Sequence, residues 1–181
     1  MAGFGLCKIV NLRGEQGAHK DDGGPRLVED DLIYDVGAHL GEDTEFYLRL
    51  GYRVVAIEAN PELVAKLRKR FAEASADARL TVVDCAVGES EGTIDLFVYG
   101  SADLGTARPD WAARNRRAGH SARVVPVSAM PFETLLREHG IPHYLKVDIE
   151  GSDQLCIEAL GQFEERPRFI SIEASVWSWR V

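Results

Sequence analysis

The sequence has little cysteine and no long apolar run, and both absences exclude classes of protein. Its three cysteines, Cys7, Cys85 and Cys156, are widely spaced and form no C-x-x-C pair. This spacing predicts neither a disulfide framework nor a zinc site, and we assign no metal ligands. No apolar stretch approaches the roughly 18 residues of a membrane span, and no signal-peptide pattern begins the chain. We therefore expect a soluble cytoplasmic protein with reduced thiols and no membrane contact.

The sequence also lacks an excess of positive charge. Its formal net charge is -8 at pH 7. An extended nucleic-acid footprint needs lysine and arginine side chains that neutralise successive phosphates, so we expect no nucleic-acid partner. The 181 residues are 45% hydrophobic and 28% charged, which is typical of one globular domain around a single core.

The chain divides into an arm, a domain and an insertion. Residues 1–30 contain six glycines and little apolar periodicity, which predicts a loosely ordered, glycine-rich arm with at most one short strand near residues 6–12. Residues 31–181 alternate short apolar runs with amphipathic segments. This alternation predicts an α/β domain with a mostly parallel, twisted sheet and helices on both faces. Residues 101–122 form a polar, arginine-rich insertion that interrupts the alternation.

Short apolar runs indicate strands that are covered on both faces. We place the main strands at residues 33–36, 53–58, 80–84, 144–149 and 168–173, with shorter strands at 93–98 and 123–127. The predicted helices lie at residues 43–50, 61–71, 131–139 and 152–160. The second helix has the clearest signals, because Asn60 suits the N-cap and Pro61 suits the first helical position.

A glycine-containing loop follows the first of these main strands. Residues 35–41 read DVGAHLG and lead into a helix that begins EDT, while Glu58 ends the next strand. A glycine loop followed by an acid at the end of the next strand is the arrangement that binds a nucleotide ribose in Rossmann-like sites. The sequence therefore predicts a nucleotide-type cofactor at the carboxyl ends of these strands.

Acidic residues indicate which cofactor this loop favours. A dinucleotide places its pyrophosphate at the helix N-terminus, against bare backbone N–H groups. Glu42 and Asp43 occupy that position here, and His39 replaces the second glycine of the dinucleotide pattern. S-adenosylmethionine has no phosphate and carries a cationic amino acid end, so it suits the loop better. A nicotinamide-dependent oxidoreductase remains a third candidate.

We assign the cofactor to residues at three strand ends. The loop faces the methionine portion, Glu58 accepts hydrogen bonds from the ribose hydroxyls, and residues 84–86 border the adenine. The predicted cofactor-binding residues are Asp35, Gly37, Ala38, His39, Gly41, Thr44, Glu58, Ala59, Asn60, Asp84, Cys85 and Ala86. The alternative is that the acids only end strands and the glycines only form turns.

Two more carboxylates belong to the strand predicted at residues 144–149 or follow it directly. Asp148 and Glu150 are separated by one residue, so they share a face if the strand stays extended. Neighbouring carboxylates suit general-base work or metal binding, but they can equally cap the next helix or pair with Lys146. Asp148, Glu150 and His39 are the candidate catalytic residues.

The remaining polar signals have both structural and functional interpretations. Glu173 adds a carboxylate at the end of the last predicted strand. The insertion carries a basic cluster around Trp111, which either contacts an anionic or sugar-linked acceptor or forms the solvated face of a helix. This cluster consists of Arg108, Arg114, Arg116, Arg117, His120 and Arg123.

Four segments together resemble the FkbM-type methyltransferase family. They are IYDVGAHLGEDTEFYL, VVAIEANPEL, YLKVDIEGSD and PRFISIEAS, in that order between Ile33 and Ser175. The resemblance implies a Rossmann-like class I methyltransferase fold. It also implies S-adenosylmethionine-dependent methyl transfer to an acceptor oxygen, such as a hydroxyl on a sugar or small natural product. It identifies no catalytic base.

The end of the chain departs from that fold. Class I methyltransferase folds finish with an antiparallel hairpin, which the six residues after Ser175 cannot form. We expect either a fragment of a longer protein or an exposed sheet edge that a partner, such as a second copy, covers. The departure also leaves open a non-catalytic cofactor-binding or assembly module derived from a methyltransferase.

Overall fold

The structure, a computed structural model, describes residues 6–11, 28–100 and 104–174. The elements of the first half are β1 (Leu6–Asn11), β2 (Val28–Val36), α1 (Glu42–Arg49), β3 (Arg53–Glu58), α2 (Pro61–Arg70), α3 (Ala72–Ala76), β4 (Leu80–Asp84) and β5 (Ala86–Val87). Those of the second half are β6 (Gly92–Tyr99), β7 (Leu104–Thr106), α4 (Pro109–Arg117), β8 (Ala122–Met130), α5 (Phe132–His139), β9 (Ile141–Val147), α6 (Asp153–Ala159), a 3₁₀ turn (Leu160–Gln162) and β10 (Phe169–Ala174). Among the described helices, none combines the length and apolarity needed to cross a lipid bilayer.

Six strands form the main sheet in the order β1-β10-β9-β2-β3-β4. The strands from β10 to β4 are mutually parallel, as predicted from their apolar runs. In β3, for example, Val54, Val55, Ala56 and Ile57 are all buried. The predicted α/β fold with a mostly parallel sheet is confirmed.

Alternation along β2 directs its side chains into two separate cores. Leu32, Tyr34 and Val36 belong to one buried cluster, together with residues of α5 and α6. Ile33 belongs to the other cluster, together with residues of α1, α2 and α3. Because successive side chains of a strand point to opposite faces, these helices cover both faces of the sheet.

A second, four-stranded sheet has the order β5-β8-β6-β7. Strand β6 is antiparallel to both β7 and β8, and β5 is parallel to β8. Leu96, Val98 and Val127 form a third apolar cluster with Ala86. The two shorter strands predicted at residues 93–98 and 123–127 lie within β6 and β8. Residues 104–117 of the insertion form β7 and α4 beside this sheet.

Helix α2 begins where its sequence predicts, and this start positions the end of β3. The Asn60 side chain accepts a hydrogen bond from the Glu62 backbone N–H at 3.0 Å, and Pro61 is the first helical residue. The buried Leu63 and Leu67 attach the helix to the sheet. The short connection between β3 and α2 holds Glu58 at the carboxyl edge of the sheet.

The expectation of an exposed sheet edge beside the last strand is wrong. Strand β1 pairs antiparallel with β10 along its full length, from Leu6 opposite Ala174 to Asn11 opposite Phe169. The arm therefore supplies the antiparallel neighbour that we had assigned to a C-terminal hairpin, and it contains the one short strand that the sequence suggested. Pairing satisfies the backbone groups of β10 on this side, so β1 and not β10 is the edge strand of this sheet.

The predicted strand at residues 144–149 begins earlier and ends earlier than expected. Strand β9 ends at Val147, and Glu150 has a left-handed backbone with a φ of +51°. The condition under which Asp148 and Glu150 share a strand face is therefore not met. Both residues belong instead to the turn that leads into α6.

Candidate active site

A cavity of about 370 Å³ opens at the carboxyl ends of the parallel strands. The loop after β2, the residues that follow β3 and β4, and the turn after β9 form its walls. Leu96 of β6 and Gly105 of β7 also line it, so the second sheet contributes to the site. Small-molecule sites have volumes of about 300–1,000 Å³ and occur at this edge of open α/β sheets.

The loop after β2 contacts the ends of two neighbouring strands. The backbone N–H groups of Gly37 and Ala38 donate to the Ile57 carbonyl at 2.9 and 3.1 Å. A Cβ at Gly37 would lie 1.9 Å from the Asp148 carbonyl oxygen, and the φ of Gly37 is +82°. Glycine is therefore required for this close approach. The approach brings the loop and Asp148 to one cavity.

Glu58 is held on the cavity wall by two backbone groups. Its Oε2 accepts from the N–H of His39 and its Oε1 accepts from the N–H of Asn60, each at 2.8 Å. Burial raises the pKa of Glu58, and these hydrogen bonds oppose the rise because they stabilise the charged form. A carboxylate has about four acceptor sites, so each oxygen retains a lone pair for a ligand hydroxyl.

Asp35 lies beneath the loop and pairs with a lysine of the neighbouring strand. Its carboxylate is fully buried, accepts from the Thr44 hydroxyl at 2.6 Å and lies 3.1 Å from Lys146 Nζ. Burial raises the pKa of Asp35, while the ammonium and the hydroxyl oppose that rise. Burial lowers the pKa of Lys146, but the charge of Asp35 outweighs it and the net shift is upward. We assign a charged pair, because both contacts stabilise the carboxylate.

The Lys146 ammonium also connects this pair to the cavity. It donates to the Gly37 carbonyl at 3.3 Å and lies 3.4 Å from the Asp43 carboxylate. Lys146 and Asp43 both line the cavity, whereas Asp35 does not. A buried anion beneath the loop therefore positions a cation on the cavity wall.

The wall on the β4 side is largely apolar. Ile57, Leu63, Val87 and Leu96 line the cavity there together with Cys85. Burial, assisted by the charge of Asp84, raises the pKa of the Cys85 thiol to about 11. The thiol is therefore neutral at pH 7 and extends the apolar surface.

The three candidate catalytic residues all line this cavity. Asp148 is fixed through its backbone N–H, which donates to the Val36 carbonyl at 2.9 Å. Glu150 is fixed through its carbonyl, which accepts from the Thr106 hydroxyl at 3.0 Å. His39 has its Nδ1 4.0 Å from a carboxylate oxygen of Glu42. Two backbone restraints and one side-chain contact thus fix three residues that share no strand.

Most of the predicted cofactor residues meet at the cavity, but four do not line it. Those that line it are Gly37, Ala38, His39, Glu58, Ala59, Asn60, Cys85 and Ala86. Asp35 and Thr44 lie beneath the loop, fully buried. Gly41 faces α2 instead, where a Cβ would lie 2.5 Å from the Phe71 ring. Asp84 does not line the cavity, and its carboxylate lies 3.5 Å from the Arg68 guanidinium.

Two parts of the site were not predicted from the sequence: Lys146 and the residues of the second sheet. A lysine in an otherwise apolar strand was a usable signal, since a buried charge needs a partner. Its partner follows from strand register, in which Asp35 and Lys146 are direct neighbours on β2 and β9. The lining residues Leu96, Gly105 and Ala107 gave no comparable signal, because their position depends on how the two sheets pack.

An open parallel sheet with a cofactor-sized cavity at its carboxyl edge defines a Rossmann-like α/β domain. The sequence pattern described as the methyltransferase FkbM domain matches residues 35–180. The chain belongs to this family.

Solved structures of methyltransferases are similar to this chain at low identity. The methyltransferase FkbM from Methylobacillus flagellatus KT shares 20% identity over 78% of this chain and 32% of its own, with a TM-score of 0.49. The glycopeptide N-methyltransferase MtfA complexed with (S)-adenosyl-L-methionine shares 15% identity over 61% of this chain and 69% of its own, with a TM-score of 0.28. The chain thus spans about a third of the first of these proteins. No curated protein matches the chain.

Proposed function

We propose that this chain binds S-adenosylmethionine in the cavity at the sheet edge and transfers its methyl group to a hydroxyl oxygen of a sugar or small natural product. Membership of the FkbM methyltransferase family supports the reaction class. The observation that carries the cofactor assignment is the polarity of the cavity. The cavity has one carboxylate, that of Glu58, at the end of β3 and further carboxylates at the start of α1.

The polarity of the cavity fits the two ends of this cofactor. Glu58 accepts hydrogen bonds from the ribose hydroxyls, and the apolar wall around Cys85 and Ala86 contacts the adenine. At the other end, Lys146 attracts the carboxylate of the methionine portion, while Asp43 attracts its ammonium. Each contact uses a side chain that lines the same cavity.

The same residues disfavour a nicotinamide dinucleotide. Glu42 and Asp43 both line the cavity at the N-terminus of α1, where a pyrophosphate would lie. A carboxylate about 4 Å from a phosphate charge costs about 1 kcal/mol in water and about 4 kcal/mol at an effective dielectric of 20. Two such carboxylates repel the pyrophosphate of a dinucleotide. They do not repel the cationic amino acid end of S-adenosylmethionine.

The residues of this chain would act mainly by positioning and by accepting a proton. The cofactor would supply the methyl group: its bond to the sulfonium would break, S-adenosylhomocysteine would leave, and the acceptor oxygen would gain the methyl group and give its proton to a base. Holding the two reactants together accounts for much of the rate enhancement in such reactions. Asp148, Glu150 and His39 are the candidates for accepting the proton, because all three line the cavity.

The alternative of a non-catalytic assembly module has less support than the sequence suggested. It was motivated by the missing C-terminal hairpin, and β1 supplies an antiparallel neighbour for β10 in its place. A cavity lined by three proton acceptors favours an enzyme instead.

Isothermal titration calorimetry on the full chain tests the cofactor assignment. We expect saturable binding of S-adenosylmethionine and S-adenosylhomocysteine and no heat from NAD⁺ under the same conditions. Binding of NAD⁺ in preference to both would overturn the assignment. Binding of neither cofactor class would overturn the proposed function as a whole.

A further inference from the structure

We propose that a second cavity, formed by the insertion and adjoining the cofactor cavity, binds an acceptor that is a sugar carrying an anionic group. This inference rests on the proposed function and names the acceptor class for the same site. The second cavity has a volume of about 220 Å³ and is lined by residues of β6, β7 and α4. Its lining includes Tyr99, Trp111, Arg114, Asn115, His120 and Glu150.

The two cavities share part of their walls. Gly105 and Glu150 line both of them. Of the three candidate catalytic residues, Glu150 is the one that also lines the second cavity. An acceptor in the second cavity therefore has its nearest hydroxyl at the boundary with the cofactor cavity, beside a carboxylate that can accept the proton.

Contacts between the insertion and the turn after β9 fix this boundary. The Thr106 hydroxyl donates to the Glu150 carbonyl at 3.0 Å and accepts from the Arg108 backbone N–H at 3.1 Å. A Cβ at Gly151 would lie 2.7 Å from Trp111 Cε2, so the indole packs directly on the turn. The insertion thus packs on the turn that carries Glu150.

The walls of the second cavity have the chemistry that recognises a sugar ring. Trp111 provides an aromatic surface, and the Arg114 guanidinium lies 4.5 Å from its ring centroid. The Tyr99 hydroxyl is buried and has no hydrogen-bond partner in the part of the chain that the structure describes. A buried hydroxyl without a partner is unfavourable, and a ligand hydroxyl would satisfy it. Asn115 adds both a donor and an acceptor.

Two arginines supply the charge that selects an anionic acceptor. In the part of the chain that the structure describes, no carboxylate lies at ion-pair distance from Arg114 or Arg116. By contrast, Arg108 lies 2.8 Å from Asp110 and Arg123 lies 2.6 Å from Glu62. Guanidinium groups bind carboxylate and phosphate oxygens, so these two arginines can bind the anionic group of the acceptor.

The positive charge continues beyond the second cavity. A further cavity of about 440 Å³ shares Tyr99 and His120 with it and is also lined by Arg116. The second cavity thus shares lining residues both with the cofactor cavity and with the cavity that Arg116 lines. An acceptor longer than one sugar ring can place its hydroxyl at Glu150 and its anionic group beside the arginines.

Nuclear magnetic resonance on the full chain, with S-adenosylhomocysteine present, tests this inference. The probes are trigalacturonate, glucose 6-phosphate and the uncharged maltotriose, and the reporter is the indole N–H signal of Trp111, assigned with Trp111→Phe. We expect trigalacturonate or glucose 6-phosphate to shift this signal at concentrations at which maltotriose has a much smaller effect. The two anionic probes separate a preference for carboxylate from one for phosphate.

Charge variants show whether the arginines cause the selectivity. We expect Arg114→Gln and Arg116→Gln each to weaken binding of the anionic probe by about two- to fivefold, as is typical of partly exposed charge pairs of about 0.5–1 kcal/mol. Arg49→Gln on α1 removes the same charge away from the cavity and should leave affinity unchanged.

Three results would overturn the inference. They are no Trp111 shift with either anionic probe, equal affinity for maltotriose, and equal losses in all three arginine variants. Calorimetry with S-adenosylhomocysteine on the same samples separates the two proposals. Cofactor binding without sugar binding overturns the acceptor site alone, whereas sugar binding without cofactor binding overturns the proposed function and leaves the sugar site supported.

Discussion

The Lys146 ammonium lies 3.1 Å from a carboxylate oxygen of Asp35, and the two residues are direct neighbours on adjacent parallel strands. Asp35 is fully buried, whereas Lys146 reaches the cavity wall. The pair therefore links the interior of the sheet to the ligand site. It positions the loop after β2 as well, because Lys146 also donates to the Gly37 carbonyl.

Removal of the lysine should be costly for stability. We expect Lys146→Met to lower the free energy of unfolding by about 3–5 kcal/mol, because it leaves a buried carboxylate without its partner. Lys69→Met, at an exposed position of α2, should change it by less than about 0.5 kcal/mol. Adding Asp35→Asn to Lys146→Met should recover part of the loss. Urea denaturation measures all three, and equal stability of the two lysine variants would contradict the buried pair.

Loss of charge at Glu58 should weaken cofactor binding. We expect Glu58→Gln to raise the Kd for S-adenosylhomocysteine by about ten- to a hundredfold, since hydrogen bonds to a charged group contribute about 1.5–3 kcal/mol. Glu62→Gln is the matched control, because it lies in the first turn of α2 and is exposed. Calorimetry gives both constants. An unchanged Kd for Glu58→Gln would exclude Glu58 from the ribose site.

Alanine substitutions at two glycines with positive φ distinguish the effect of backbone strain from that of steric clash. Gly51 has a φ of +90° with nothing within 4 Å of an added Cβ, whereas at Gly37 an added Cβ meets the Asp148 carbonyl. We expect Gly51→Ala to cost about 1–2 kcal/mol of stability and to retain cofactor binding. Gly37→Ala should cost about 1–3 kcal/mol more, because the strand ends must separate, and should also weaken binding. Equal effects of the two variants on stability and on Kd would contradict the proposed contact.

The Cys85 thiol should react slowly and with an alkaline pH profile. Burial raises its pKa from 9.0 to about 11, so its alkylation by iodoacetamide should rise about tenfold per pH unit between pH 7 and pH 9. Because the folded pKa lies above the unfolded value, the contribution of this thiol to stability is present below pH 9 and is lost as pH approaches 11. Mass spectrometry of the Cys85 peptide measures the rate. S-adenosylhomocysteine should slow the reaction, and a plateau in rate below pH 9 would contradict the raised pKa.

Local sequence signals were sufficient to predict the bounds of β3 and β4 and the start of α2. The predicted bounds of β3 and β4 agree with the structure residue for residue, because each is an apolar run that ends in an acid. The N-cap of α2 was equally readable from Asn60 and Pro61. These features depend on the propensities of adjacent residues and on capping, both of which act within one turn or strand.

The features that the sequence did not predict depend on distant parts of the chain. Pairing of β1 with β10 joins segments from the two ends of the chain, so no local pattern indicates it. The turn after the early end of β9 contains a left-handed Glu150, a conformation that its residue type does not favour. The contribution of β6 and β7 to the cavity requires knowledge of how the two sheets pack.

A crystal structure of the chain with S-adenosylhomocysteine tests the central claim most directly. We expect the ribose hydroxyls within about 2.5–3.0 Å of the Glu58 carboxylate oxygens, as hydrogen bonds between oxygens require. The adenine should lie against Cys85 and Ala86, with the amino acid portion near Lys146. A ligand bound elsewhere, or a cavity that stays empty at saturating ligand, would contradict the account.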